Sequence, residues 1–160
     1  MRHGKAEPYA DEDHARRLTE RGRREAHAAG EWLAAGDLLP TYAFVSSAAR
    51  TQDTWAGVVE GSGSTLQPHL SDAVYAADAD SAVDVIRTAP ADAEVVLYLG
   101  HNPTVASLAV LLDAGDPDPD AFRTVGAGFP TSAIAVLDVG VPWSDLDTGT
   151  ARLVAGYTGS

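Results

Sequence analysis

The chain has 160 residues, 45 % of them hydrophobic and 21 % charged, which fits one domain with a sizeable core and excludes a disordered or collagen-like polymer. A formal net charge of −12 argues against nucleic acid and anionic membranes as partners, so any phosphate-handling site must gather positive charge locally. With no cysteine there are no disulfides, thiolate metal sites or cysteine nucleophiles; no apolar run approaches the roughly 20 residues that span a bilayer, and Met1-Arg2-His3-Gly4-Lys5 has no apolar stretch behind it, so a cytoplasmic location is expected.

In chain order, Thr19–Ala35 reads as a helix, with Thr19 as N-cap, Gly22, Ala26, Ala29 and Leu33 on one face, and Gly36 as a stop. Tyr42–Ser46 is an apolar run of strand type, followed by a helix from about Ala48 to Val59. Gly61–Ser64 predicts a flexible turn, and Thr65–Pro68 a short strand. Ala79–Ala89 has helical spacing through Ala82, Val83, Val85 and Ile86. Glu94–Leu99 is the clearest strand, a continuous apolar run of the buried parallel kind. Asn102 and Pro103 fit an N-cap and first helical residue, ahead of a face made by Val105, Leu108, Ala109 and Leu112. Asp113–Asp120 reads as an acidic loop, and Ser132–Val139 and Ala151–Tyr157 complete the sheet. Strands alternating with helices predict an α/β fold: a three-layer sandwich with helices on both faces of a mostly parallel central sheet, in a single domain over residues 1–160.

Three places fall at strand C-terminal ends, where open α/β sheets put their sites. They are Arg2-His3-Gly4, Ser46-Ser47-Ala48-Ala49-Arg50-Thr51, and Leu99-Gly100-His101-Asn102-Pro103. A guanidinium offers a charged fork that matches two phosphate oxygens. An imidazole can attack phosphorus and hold the phosphoryl group, dividing one displacement into two. Fixed cations then stabilise the charge on the equatorial oxygens. Each place has a plain structural reading when taken singly: a loose terminus, a solvated arginine in a first helical turn, a histidine satisfied in a turn.

Taken together, the three resemble the motif set of the histidine phosphatase superfamily, the phosphoglycerate-mutase-like fold. Arg2-His3-Gly4 resembles the nucleophile motif, Ser46 through Thr54 the second-arginine motif, and Leu99-Gly100-His101-Asn102 the second-histidine motif. Asp13–Ala26 and Phe129–Ala133 are similar to segments of the small bacterial phosphohistidine phosphatases. The likeness runs in the family's order from Arg2 almost to Tyr157. It implies His3 as nucleophile, Arg2 and Arg50 as phosphate clamp, and His101 as donor to a phosphate oxygen, with Gly4 and Asn102 also at the substrate. Leu70-Ser71-Asp72-Ala73-Val74-Tyr75 has the mutase spacing with Asp for Glu, so Asp72 is either the general acid or a plain loop carboxylate. No metal and no cofactor are expected.

The resemblance also implies a phosphatase acting through a covalent phosphohistidine, on a phosphorylated protein or a small phosphomonoester; the compact connections leave no long insertion for a lid. In one respect the chain departs from the pattern. The family's first, central strand precedes Arg-His-Gly, and here only Met1 stands before it. The expectation is therefore that this strand is missing, with the natural start upstream or the nucleophile on a poorly held terminus. That motivates an alternative function, a catalytically impaired phosphate-recognition module. Of the remaining histidines, His14 could edge the pocket, His27 reads as a surface residue, and His69, next to the Asp72 region, is either an ordinary residue or a neighbour of the pocket; none has metal-ligand spacing. The run Arg16, Arg17, Arg21, Arg23 and Arg24 is either a solvated helix start or a cationic rim.

Overall fold

The computed structural model describes residues 1–126 and 128–159. Thr19 caps α1 (Glu20–Ala35), its hydroxyl accepting from the Gly22 N–H at 3.0 Å. Then follow β1 (Tyr42–Ser46), α2 (Ala49–Ser62), β2 (His69–Ser71), α3 (Asp72–Ala76), α4 (Ala79–Arg87), β3 (Val96–Leu99), α5 (Thr104–Leu111), α6 (Pro119–Gly126), β4 (Ile134–Val139) and β5 (Ala151–Tyr157). Short 3₁₀ turns lie at Asp13–Ala15 and Trp143–Asp145.

β1 pairs in parallel with β2 on one side and β3 on the other. The twofold alternation of strands decides which helices each residue meets. Ala43 and Val45 of β1, with Leu97 and Leu99 of β3, pack beneath Ala29 and Leu33 of α1 and Val58 of α2. Phe44 and Tyr98, on the opposite face, pack on Val83 and Ile86 of α4 and Val105 and Leu108 of α5. Helices thus cover both faces of a parallel sheet, the α/β sandwich that the alternation predicts. α1 and α2 approach closely because they lack side chains at the crossing. A Cβ on Gly30 would stand 2.3 Å from the Val58 carbonyl oxygen, and one on Gly61 2.0 Å from that of His27.

Four expectations need correcting. The short strand is His69–Ser71, not Thr65–Pro68: Pro68 has no N–H for a ladder, and the pairing Phe44↔His69 sets the register beyond it. The acidic loop ends in a helix, α6, started by Asp118, whose carboxylate accepts from the Asp120 and Ala121 N–H groups at 2.9 and 3.0 Å. Asn102 is not an N-cap. Its amide donates to the Phe129 carbonyl at 2.9 Å, and Pro103 takes the cap position of α5. Finally, β4 and β5 form their own antiparallel pair rather than hydrogen-bonding directly to the parallel strands.

What joins the two sheets is the segment Met1–His3. Arg2 bridges Gly100 in parallel, the Gly100 N–H donates to the Met1 carbonyl at 3.1 Å, and the His3 N–H donates to the Gly100 carbonyl at 3.2 Å. On the other side the Arg2 N–H donates to the Ala133 carbonyl at 2.9 Å, and the Ser132 N–H to the His3 carbonyl at 3.1 Å. The Met1–His3 segment is therefore held from both sides, which removes the poorly held terminus from the two alternatives. Behind Met1, between β3 and β4, lies an apolar slot of about 630 Å³ lined by Leu97, Tyr98, Ile134, Val136 and Leu137. The Met1 amine points there, donating to the Tyr98 carbonyl at 2.8 Å; its burial lowers its pKa to about 5.

Candidate active site

The elements that end together put the three motifs together. β1 delivers Ser46 and, at the second residue of α2, Arg50; β3 delivers Gly100 and His101; the bridge between the sheets delivers Arg2 and His3. A pocket of about 270 Å³ opens there, lined by Arg2, His3, Arg50, His101 and Asn102, all expected from the sequence, and by Lys5, Ala6, Arg16 and Thr131. Arg2, Lys5, Arg16 and Arg50 are the local positive charge that a phosphate site requires in a protein of net charge −12.

The two imidazoles adjoin, with ring centroids 5.2 Å apart and planes at 53°. His3 is 9 % exposed, and its Nδ1 lies 2.7 Å from the Gly4 carbonyl oxygen. A carbonyl can only accept, so Nδ1 carries the proton. Burial, with the charges of Arg50, Arg2 and Arg16 adding to it, lowers the His3 pKa to about 4 against the opposing Gly4 bond. The neutral ring therefore keeps its lone pair on Nε2. His101 is lowered to about 3 by burial, then by Arg50 and His3; its Nε2 lies 2.7 Å from the Ser46 hydroxyl oxygen, and its buried Nδ1 has no partner. Arg50 is 5 % exposed and donates from Nη1 to the Asp13 carbonyl at 2.8 Å and from Nη2 to the Asp13 carboxylate at 3.0 Å. Arg2 donates from Nη1 to the Phe129 carbonyl at 2.9 Å.

Gly4 and Asp72 stand apart from this pocket. The Gly4 N–H donates to the Thr54 hydroxyl at 2.9 Å. The residue must be glycine because α1 passes so close: a Cβ would lie 2.7 Å from the Gly22 carbonyl oxygen. Asp72 opens α3, where a carboxylate suits the helix N-terminus, and accepts a hydrogen bond from the Ser47 hydroxyl. His14 reaches the same hydroxyl at 2.9 Å and meets the Tyr75 ring edge-on, with centroids 4.9 Å apart. His69 packs on Tyr42 and Phe44, and His27 lies near Glu31 on α1. Of the basic run, Arg16 is at the pocket; Arg17 and Arg23 pair with Asp53, Arg21 with Glu25 and Arg24 with Glu20. Sequence reasoning missed Lys5 and Thr131, and did not single out Arg16 from its neighbours. For Lys5 the signal was its place directly after the nucleophile motif.

The model of the histidine phosphatase superfamily (branch 1) matches residues 1–75. An uncharacterised protein of Mycobacterium leprae is 33 % identical over 160 residues, 97 % of each chain. The SixA of Nakamurella multipartitia, assigned to the phosphohistidine phosphatases, superposes with a TM-score of 0.86 at 33 % identity, covering 99 % of this chain and 93 % of that one. The chain belongs to the histidine phosphatase superfamily. The protein histidine phosphatase SixA complexed with tungstate shares the fold of this phosphatase, with a TM-score of 0.80 at 23 % identity over 99 % of this chain and 94 % of the other. Membership, together with a SixA neighbour 33 % identical over nearly the whole chain, supports a phosphatase, a hydrolase of phosphorylated substrates. Among the described residues no helix is long and apolar enough to cross a membrane.

Proposed function

We propose that this phosphatase passes the phosphoryl group of its substrate to Nε2 of His3 and then to water. The observation that carries the reading is the Nδ1 contact of His3 with the Gly4 carbonyl at 2.7 Å. It fixes the tautomer, and burial among cations keeps the ring neutral, so the free lone pair belongs to Nε2 at physiological pH. In the first step an N–P bond forms as the bond from phosphorus to the leaving group breaks, and the leaving group takes up a proton from solvent water. In the second, water attacks phosphorus, the N–P bond breaks, and phosphate departs as neutral His3 is restored.

Arg2 and Arg50 clamp the equatorial oxygens, where their fixed charge stabilises the transition state without rearrangement. His101 serves as a hydrogen-bond donor; burial lowers its pKa most and Arg50 and His3 lower it further, and an arriving dianion offsets that second part and so favours its N–H. Asp72, engaged with Ser47, is not assigned as the proton donor. A phosphohistidine on a protein suits such a site, because the N–P bond needs less help from an acid to leave; its resemblance to the small phosphohistidine phosphatases points the same way. A small phosphomonoester is the other substrate class.

The test is turnover of a phosphohistidine protein and of p-nitrophenyl phosphate beside a His3→Ala control. Hydrolysis abolished by the substitution, and faster on the phosphohistidine protein, is the expected result. Phosphate binding without turnover in the unaltered protein would instead favour the recognition module.

A further inference from the structure

Arg50 is held by a carboxylate that phosphoryl transfer does not itself require. Asp13, in the 3₁₀ turn ahead of α1, accepts from Arg50 through its main-chain carbonyl and through Oδ2. Oδ2 also accepts from the Tyr75 hydroxyl at 3.1 Å. Its other oxygen, Oδ1, accepts from Arg16 Nε at 2.9 Å and lies 2.7 Å from Arg16 Nη2. One carboxylate thus bridges two cations that line the pocket. It presents to them what a phosphoryl group would: two oxygens on one centre and negative charge.

The two sides of this contact differ in freedom. The Arg50 side chain is 6 % exposed, whereas that of Asp13 is 55 % exposed. A half-exposed carboxylate can turn to water at small cost, and a buried guanidinium cannot. The Asp13 carboxyl stays ionised down to about pH 2, held by the Arg16 hydrogen bond and, against partial burial, by Arg50 and the Tyr75 hydroxyl. It is therefore an anion throughout the working range, and it repels a second anion on the same cations.

We infer that Asp13 is the pocket's resident anion, holding Arg50 and Arg16 in position while the site is empty, yielding them to an incoming phosphoryl group, and returning to displace inorganic phosphate. The inference rests on reading the pocket as a phosphate site. Asp13 is on this account a positioning residue that sets how loosely product is held, and the phosphatase tolerates phosphate because of it.

The test compares the intact protein with Asp13→Asn, measuring the binding of inorganic phosphate and orthovanadate by calorimetry and their inhibition of p-nitrophenyl phosphate turnover. The asparagine variant is expected to bind both anions roughly tenfold more tightly, with KM and kcat falling together as release slows. A carboxylate that merely braces Arg50 gives the opposite sign, and equal or weaker binding in the variant would overturn the inference. Asp13→Ala with added sodium formate is the second arm. Formate should weaken phosphate binding in that variant more than in the unaltered protein, by returning a carboxylate to the vacated place; equal effects would count against the inference. If the unaltered protein binds neither anion, the phosphate reading falls and the inference with it. If it binds them and Asp13→Asn does not bind them more tightly, only the inference falls.

Discussion

The imidazoles of His3 and His101 share one wall of a cationic pocket, their centroids 5.2 Å apart, although one comes from the chain start and the other from the end of β3. The single bridge Arg2↔Gly100 brings them together, since it aligns the residue before each histidine across one ladder. Burial and neighbouring guanidinium groups keep both rings neutral. On the proposed mechanism, in which His3 must be neutral to attack, the ring is thereby ready well below the ordinary imidazole pKa. In kcat/KM measured against pH, the acid limb set by His3 should fall near pH 4 instead of near 6.5. An acid limb centred at 6.5 and removed by altering His3 would show an unperturbed ring.

Arg50→Lys keeps the charge but loses the planar fork. Its terminal nitrogens now make two bonds to Asp13, and an ammonium cannot reproduce that geometry. Loss of one transition-state donor typically lowers kcat by about 10²–10³, and a reduction of that order is expected in steady-state assays while thermal unfolding changes little. A lysine variant with near-normal kcat would remove Arg50 from the clamp.

Stability should fall on mild acidification. His3 and His101 have folded pKa values of about 4 and about 3 against an ordinary 6.5, and the Met1 amine about 5 against 8.0. In each case the unfolded chain binds the proton first, so the stabilisation is complete above the unfolded pKa and is lost as pH falls through that window. Urea unfolding at pH 8 and pH 5 should differ by on the order of a few kcal/mol. His3→Gln should flatten the dependence between pH 6.5 and 4. A pH-independent midpoint over pH 5–8 would contradict these directions.

The apolar slot behind Met1 holds a buried amine at one end. Fusing Val-Leu-Val-Leu ahead of Met1 converts that amine to a peptide N–H and offers side chains to both faces. Each well-buried aliphatic side chain contributes about 1.5–3 kcal/mol, so a rise in Tm of roughly 5–15 °C is expected from calorimetry. A polar Ser-Gly-Ser-Gly fusion should give less. Equal Tm values for the two fusions would mean that the slot does not accept an extended apolar segment.

Much of this fold could be read from sequence because local signals agree with it. Tyr42–Ser46 and Ala151–Tyr157 are strands at the bounds expected, being apolar runs between clear stops, and Thr19 and Gly36 punctuate α1 as written. The misplaced elements were decided by contacts the local pattern does not contain. β2 is where β1 can pair with it, and α6 depends on an Asp118 cap inside a stretch rich in Asp and Pro. In the site, Arg50, His101 and Asn102 were legible because they follow the ends of β1 and β3, and Arg2 and His3 because Arg2-His3-Gly4 resembles the family's motif. Arg16 was not, since only the turn at Asp13–Ala15 folds it back onto the pocket. The spacing that nominated Asp72 places it at the start of α3 against Ser47.

On the proposed mechanism, phosphorus is bonded for a time to Nε2 of His3. The most direct check is rapid alkaline quenching of the protein during turnover, with mass spectrometric mapping of the modified peptide and ³¹P NMR to distinguish the ring positions. The account requires acid-labile phosphate on Nε2 of His3, absent from His3→Ala. Turnover that persists in His3→Ala, or trapped phosphate on another residue, would contradict it.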